Sequence, residues 1–300
     1  MAANEAKKHH YVPQFYMRRF ACADDENKVM MLERHFNFVV ADRKSIEGIG
    51  YEERLHDYDD NGAPASIEGD LNKAIETPFS QNGTWLKISG GNCAGLDETD
   101  RLPLYGFARH LQLRNVETLR FIETQHARYL TGQLEDELTD EERDMHARIA
   151  SDPGVAHELF RAGAMETMLP ADASAVNVII CQTPIALRSS TNPTVRLSHP
   201  GNDSIFGAMF GSLRTWWLAL DRHWGAFIVV GGPPGFSAGA VPPDLARVVN
   251  RQYLAQLLEG SARYMLADDD FLGEDLEWAG FTFAQRSARG FRYRKVTSAS

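Results

Sequence analysis

Cysteine is scarce in this chain. Cys22, Cys93 and Cys181 are the only three among 300 residues. Their odd number and long spacings match no metal-ligand pattern and point to a reducing compartment with free, mostly buried thiols. Long apolar runs are missing too. The stretch Ala226 to Val230 is among the longest, far short of the ~20 residues a membrane helix needs. No charged segment followed by an apolar core opens the sequence, because Lys7-Lys8 lead straight into His9-His10-Tyr11. A cytosolic protein with no membrane partner is expected. No internal repeat or low-complexity tract is visible. Positive charge is in deficit, with 31 Lys and Arg against 41 Asp and Glu and a net charge of -10. That balance argues against a broad non-specific nucleic-acid surface.

The composition is that of an ordinary globular chain. Hydrophobic residues make up 43% and charged residues 24%, which excludes a disordered chain and a fibre. The length suits one large domain or two modest ones. No composition break forces a division. The expected organisation is a flexible tail over 1–8, a single α+β domain over 9–285 and a polar tail over 286–300.

Apolar steps of three and four at Val12, Phe15, Tyr16 and Phe20 predict a short helix with Pro13 in its first turn. Val29 to Leu32 and Phe36 to Val40 read as a strand pair. Lys44 to Glu53 is helix-like, and His56 to Ala65 is a loop. Ile67, Leu71, Ala74, Ile75 and Phe79 form a helical stripe. Asp100 and Pro103 open a helix that the apolar positions carry toward Leu130. Thr139 with Asp140-Glu141-Glu142 opens another, as the macrodipole favours, and Val155 to Met168 continues helical. After Pro170 come short strand-like stretches: Asn177 to Cys181, Ile185 to Arg188, Thr194 to Leu197, Leu213 to Leu220 and Ala226 to Val230. Pro242-Pro243-Asp244 start a long helix through Leu266. The order predicts an α+β fold, mainly helical, with a small antiparallel or mixed β-sheet in the C-terminal half.

The segment His10-Tyr11-Val12-Pro13-Gln14-Phe15-Tyr16-Met17-Arg18-Arg19-Phe20 resembles the opening of a bacterial family, domain of unknown function 4238. Its members begin with a His-Tyr-Val-Pro segment and then a Tyr-Leu-Arg-x-Phe-like segment. Ala74-Ile75-Glu76 resembles the family's Leu-x-x-Ile-Glu helix. Arg109 to Asn115 stands where the family has a His/Gln-rich helix ending in Arg. Ser189-Ser190-Thr191-Asn192-Pro193 resembles its Ser-Asp-Asn-Pro turn, with Thr191 where Asp is usual. Val249-Asn250 to Arg263-Tyr264 resembles its last helix. The resemblance spans roughly residues 9 to 266 and implies positions rather than a reaction.

Candidate chemistry starts at a local basic patch. Lys7, Lys8, Arg18 and Arg19 surround His9 and His10, with only Glu5 opposing them. His10 is a candidate general base or metal ligand, with Arg18 and Arg19 placed for a phosphate; otherwise it bonds the local backbone. His9-His10, Asn27 and His35 also mimic the spacing of ββα-metal nucleases. The helical reading of Val12 to Phe20 opposes that match, because the motif needs a β-ribbon there. Arg109, His110, Gln112 and Arg114 share one helix and suit an anion, or else a solvated face. Glu68, Asn72 and Glu76 align on a polar helix side, with Glu76 as a second acid or ligand. Ser190 and Asn192 lie in a strand-end turn. No Gly-x-Ser-x-Gly elbow surrounds Ser190, so acyl transfer is not expected. Trp216, Trp217 and Trp224 read as core.

The expected function is therefore a hydrolase of a phosphodiester or other anionic substrate, a nuclease among them, with a divalent metal as candidate cofactor. His10 and Glu76 are its catalytic candidates, and Arg18, Arg19, Arg109, Gln112, Arg114, Ser190 and Asn192 its substrate-binding ones. The alternative is a non-catalytic domain that binds a ligand or a protein. Expected partners are an anionic small molecule or a nucleic acid. The oligomeric state is left open.

Overall fold

The computed structural model describes residues 8–60, 63–133, 138–152, 154–166, 173–198, 205–211, 213–287 and 290–296. The chain opens with β1 (Lys8–His10), α1 (Gln14–Met17), β2 (Ala21–Cys22), β3 (Asp25–His35), β4 (Phe38–Ser45), β5 (Tyr51–Glu53), β6 (Asp57–Asp60) and β7 (Ala63–Ser66). A helical segment follows as α2 (Glu68–Leu71), a π-helical turn (Asn72–Glu76) and α3 (Thr77–Gln81). Next come α4 (Gly83–Ser89), α5 (Arg101–Leu113), α6 (Val116–Leu130), α7 (Asp140–Ser151) and α8 (Gly154–Met165). The remainder is β8 (Val176–Gln182), β9 (Ser189–Ser190), β10 (Thr194–Ser198), α9 (Ile205–Phe210), β11 (Arg214–Ala219), β12 (Trp224–Val230), β13 (Gly235–Ala240), α10 (Pro243–Glu259), β14 (Tyr264–Leu266), α11 (Leu272–Trp278), β15 (Phe281–Ser287) and β16 (Gly290–Lys295).

The α+β class stands, but a mainly helical fold with one small sheet does not. Helix takes 45% and strand 31% of the described residues, and two large sheets share the architecture. One has five strands in the order β10-β11-β12-β8-β13, with β13 parallel to β8 and the other pairs antiparallel. The other has seven, in the order β15-β16-β4-β3-β14-β9, with β2 also on β3. This larger sheet draws on both ends of the described chain, so it is not confined to the C-terminal half. Very short strands such as β9 and β14 carry no readable alternation, and pairing with distant partners makes them strands.

Several local expectations shift for the same reason. The Val29 to Leu32 strand and its hairpin partner form as β3 and β4. Lys44 to Glu53 is not a helix, because Lys44 extends β4 and Tyr51–Glu53 pairs with β1. Within the expected loop, β6 and β7 form a hairpin. Ile185 to Arg188 is not a strand. The last long helix stops at Gly260, whose φ of 85° is the left-handed conformation of a helix cap. Gly290–Lys295, placed in the polar tail over 286–300 although a few short strands are expected among the last thirty residues, is strand β16. Pro153 and residues 167–172 lie outside the described residues.

The core joins both sheets. Strand β12 is buried along Gly225 to Val230, as its near-continuous apolar run requires. At Gly225 only hydrogen fits, because a Cβ would meet the Trp217 ring at 2.2 Å. Helix α10 touches β3, β9 and β14 of the larger sheet. Its Tyr253 hydroxyl donates to the Pro193 carbonyl (2.9 Å) and accepts the Ala219 N–H (3.3 Å) beside the smaller one. Tyr16, fully buried on α1, donates to the Ala219 carbonyl at 2.8 Å. These bonds satisfy polar atoms that burial would otherwise leave costly.

Candidate functional site

Strand pairing places the two N-terminal histidines. His9 lies opposite Glu52 and His10 opposite Tyr51 in the antiparallel β1–β5 pair. Successive strand side chains point to opposite faces. His9 is therefore buried, while His10 is half-buried. The His9 ring stacks on His56 with centroids 5.6 Å apart, and His56 stacks in turn on Phe160 at 5.8 Å. His9 Nδ1 accepts the backbone N–H of His56 (3.0 Å), and its Nε2 lies 3.5 Å from Asp57 Oδ1.

The opposite wall is the helical segment 68–81. Glu68 Oε2 meets His56 Nδ1 at 2.7 Å, so Nδ1 carries the proton and Nε2 a lone pair. That Nε2 is buried and has no hydrogen-bond partner among the described residues. Glu68 and Glu76 both reach Arg114. In an unbroken α-helix, positions eight apart differ in direction by about 80°. The wider π turn over Asn72–Glu76 closes much of that gap.

Arg114 sits where the expected continuous helix breaks. Helix α5 ends at Leu113, and the Asn115 side chain caps α6 by accepting the Glu117 N–H at 2.9 Å. The break turns Arg114 inward. Its guanidinium is fully buried, pairs with Glu76, donates to the His10 carbonyl and lies 3.3 Å from His110 Nε2.

Burial sets the charge states. It pulls Arg114 down to about 10, partly opposed by Glu68, and His110 down to about 4, partly opposed by a backbone hydrogen bond to Ala164 and then by Glu68. Burial also holds His56 and His10 below the ordinary imidazole value. At Glu68 burial acts upward, but the His56 hydrogen bond and the Arg114 charge outweigh it, so its carboxyl lies low. Arg114 is charged at neutral pH, whereas His10, His56 and His110 are neutral. Two carboxylates thus face one guanidinium, and the cluster has a surplus of negative charge.

The residues expected from sequence divide between two places. Glu76 and Arg114 come together in this cluster, along with His9, His56, Glu68 and His110; His10 joins through its carbonyl, while its ring meets Gln14 and Tyr51. Arg109 and Gln112 do not join them. Arg109 Nη1 donates to Gln112 Oε1 (3.2 Å), and both line a separate cleft of about 890 Å³ with Asn192, Arg196 and Gln256. Ser190 is buried, its Oγ lying 2.8 Å from both the Asn192 carbonyl and Gln256 Oε1 and accepting the Asn192 N–H at 3.0 Å. Asn192 also donates to the Ser261 carbonyl (3.1 Å). Arg18 is exposed. Arg19 donates to the Ser89 carbonyl (3.0 Å) and lies 3.5 Å from Asp221.

Thr191 holds backbone. Its Oγ1 accepts the N–H groups of Arg263 and Tyr264, each at 3.0 Å. A carboxylate can fill the same acceptor role, so a Thr-for-Asp exchange keeps an acceptor here. Asn27 and His35 are exposed on β3, where the nuclease spacing needs a helix nearby; that match is not reproduced.

Sequence reading missed His56 and gave Glu68 no role beyond its helix face. His56 stands in a polar stretch without periodicity, so its only signal is an imidazole next to Leu55. Together, fold and cluster define an α+β protein with a buried histidine–carboxylate–arginine centre. A family model, protein of unknown function (DUF4238), matches residues 8–190. This is more than half of the chain, which belongs to that family. The matched range stops just before Thr191 and short of α10. No curated protein and no solved structure matches the chain. No helix among the described residues is long and apolar enough to cross a membrane.

Proposed function

We propose that the chain is a metal-dependent hydrolase of phosphodiesters or other anionic esters, with its ion held by His56, His9 and Glu68. One observation carries this reading: a ligand atom from each of the three lies within 4.8 Å of the others. Two imidazoles and a carboxylate suit a zinc-like divalent ion. A bound ion would displace the proton shared by His56 Nδ1 and Glu68 Oε2, which lie 2.7 Å apart. His9 becomes a ligand by giving up the His56 amide. The surplus negative charge favours a dication. Hydrolysis there adds water to phosphorus, breaks the P–O ester bond and returns a proton to the leaving oxygen. Glu76 acts by holding Arg114.

The test uses the full chain dialysed against Zn²⁺ or Mn²⁺. Metal content is measured, together with turnover of bis(p-nitrophenyl) phosphate, labelled DNA and labelled RNA. The expected result is one ion per chain, with His56→Ala losing it and at least about 100-fold of turnover. No bound ion, or equal turnover in His56→Ala, overturns the reading.

The separation of Arg109, Gln112 and Asn192 from the histidines favours a second reading, binding without chemistry. Their cleft would take an anionic small molecule, Arg109 supplying a guanidinium suited to phosphate or carboxylate. A ligand lost in Arg109→Ala but kept in His56→Ala would support it.

A further inference from the structure

The hairpin β15–β16 is built unlike the rest of this acidic chain. Residues 281–296 contain five basic side chains and no acidic one. Arg286, Arg292, Arg294 and Lys295 are all exposed. The hairpin also carries aromatic residues, of which Phe291 and Tyr293 pack partly against the core while Phe283 faces outward. Phe283 is 51% exposed, and Phe291 and Tyr293 are partly so.

Register sets which of these share a face. Phe283 lies opposite Tyr293 and Arg286 opposite Phe291. Phe291 and Tyr293 are two apart on β16, hence on one side. A bulge between Phe283 and Gln285 brings Arg286 to that same side, although it is three residues from Phe283. Phe283 and Phe291 each meet the Tyr293 ring edge-on, with centroids 5.6 and 5.7 Å away. All four side chains line an open hollow of about 520 Å³. Asp268 and Arg43 border it, but Asp268 is paired with Arg222 at 2.8 Å, and Arg43 with Asp24. Arg292 and Arg294 project from the opposite face, Arg292 lying over the Phe38 ring at 4.7 Å.

Strand β15 is the sheet edge. Charged side chains there discourage edge-to-edge pairing, but solvent-facing aromatic rings do the reverse. Edge protection therefore accounts for the arginines and core packing for part of Phe291 and Tyr293, but neither explains the exposed Phe283 ring. Rings that offer π-faces, beside guanidinium groups that can meet phosphates, are the elements of a single-strand platform. Paired bases in a duplex cannot present their faces to such rings.

We propose that the β15–β16 shelf binds single-stranded nucleic acid, bases stacking on Phe283 and Tyr293 and phosphates meeting Arg286. The site is separate from the histidine cluster and lies outside the range matched by the family model. The test is fluorescence anisotropy of full-length protein with labelled 12-mers of dT and rU, and with a duplex of the same length, at 50 and 200 mM salt. Variants are Phe283→Ala, Arg286→Ala and, from the other face, Arg294→Ala, each checked for folding by circular dichroism. Single strands are expected to bind more tightly than duplex. Phe283→Ala should weaken them at least about fivefold, and Arg286→Ala more than Arg294→Ala. If Phe283→Ala disturbs folding, the comparison of the two arginine variants decides alone. Equal affinity for duplex, no effect of Phe283→Ala, or no binding overturns the proposal. So does light scattering that shows a dimer dissociated by Phe283→Ala, since the shelf would then join two copies of this chain.

Discussion

Arg114 and Glu76 form an ion pair whose guanidinium has no exposure to solvent. The same guanidinium reaches the His10 carbonyl, so one side chain fixes helix α5, the π turn and strand β1 together. Removing one partner of such a pair leaves a buried charge without compensation. Arg114→Met should therefore cost about 3–5 kcal/mol, measured by urea unfolding. Arg114→Met with Glu76→Gln should recover part of that loss.

His110 gives the fold a dependence on acidity. Its imidazole is held down to about 4 by burial, against ~6.5 when unfolded. Between these values the unfolded chain binds the extra proton, so stability is full above about pH 6.5 and falls as pH drops toward 4. The contribution is of the order of 3 kcal/mol. Unfolding free energies at pH 7.5 and 5.0 should differ less in His110→Gln than in the parent, and an equal difference would remove His110 as the cause.

Thr191 is the acceptor for two backbone N–H groups of the β14 approach. Thr191→Val keeps the shape and strips that acceptor. It should cost about 2–3 kcal/mol, because the amides lose a buried partner. Thr191→Ser should stay near the parent. A thermal melt of both variants separates the hydroxyl from the methyl.

Asp275 gathers three arginines. Its carboxylate takes Arg188 at 2.9 Å, Arg251 at 2.8 Å and Arg247 at 3.2 Å, and it is fully buried. Arg188 is fully buried too and also pairs with Asp269 at 2.6 Å. Asp275→Asn should destabilise by about 3 kcal/mol or more. Protease cleavage should then begin at α11, which this carboxylate ties to α10.

What the sequence discloses follows the range of the interactions. The hairpin of β3 and β4 shows in its local β-branched and apolar runs, and the Thr139 cap acts within a few residues; the breaks at Asn115 and Gly260 stay hidden because the apolar stripes run on past them. The two-residue strand β9 has no pattern of its own and exists only because β14 lies beside it. Lys44 to Glu53 looks helical until β1 supplies a partner. The site divides in the same way. His10, Glu76 and Arg114 are visible as polar positions beside apolar stripes. His56 is not, because its burial comes from Phe160 and His9, both distant in sequence.

Strand β3 takes β4 as one neighbour at once, but its other neighbour, β14, is synthesised more than two hundred positions later. Until then its free side presents unsatisfied amides and carbonyls at Met31, Leu32 and Glu33. A nascent chain in this condition invites a chaperone or a wrong strand. Production of the intact protein should thus respond more to slow translation and holdase supply than its final stability would suggest.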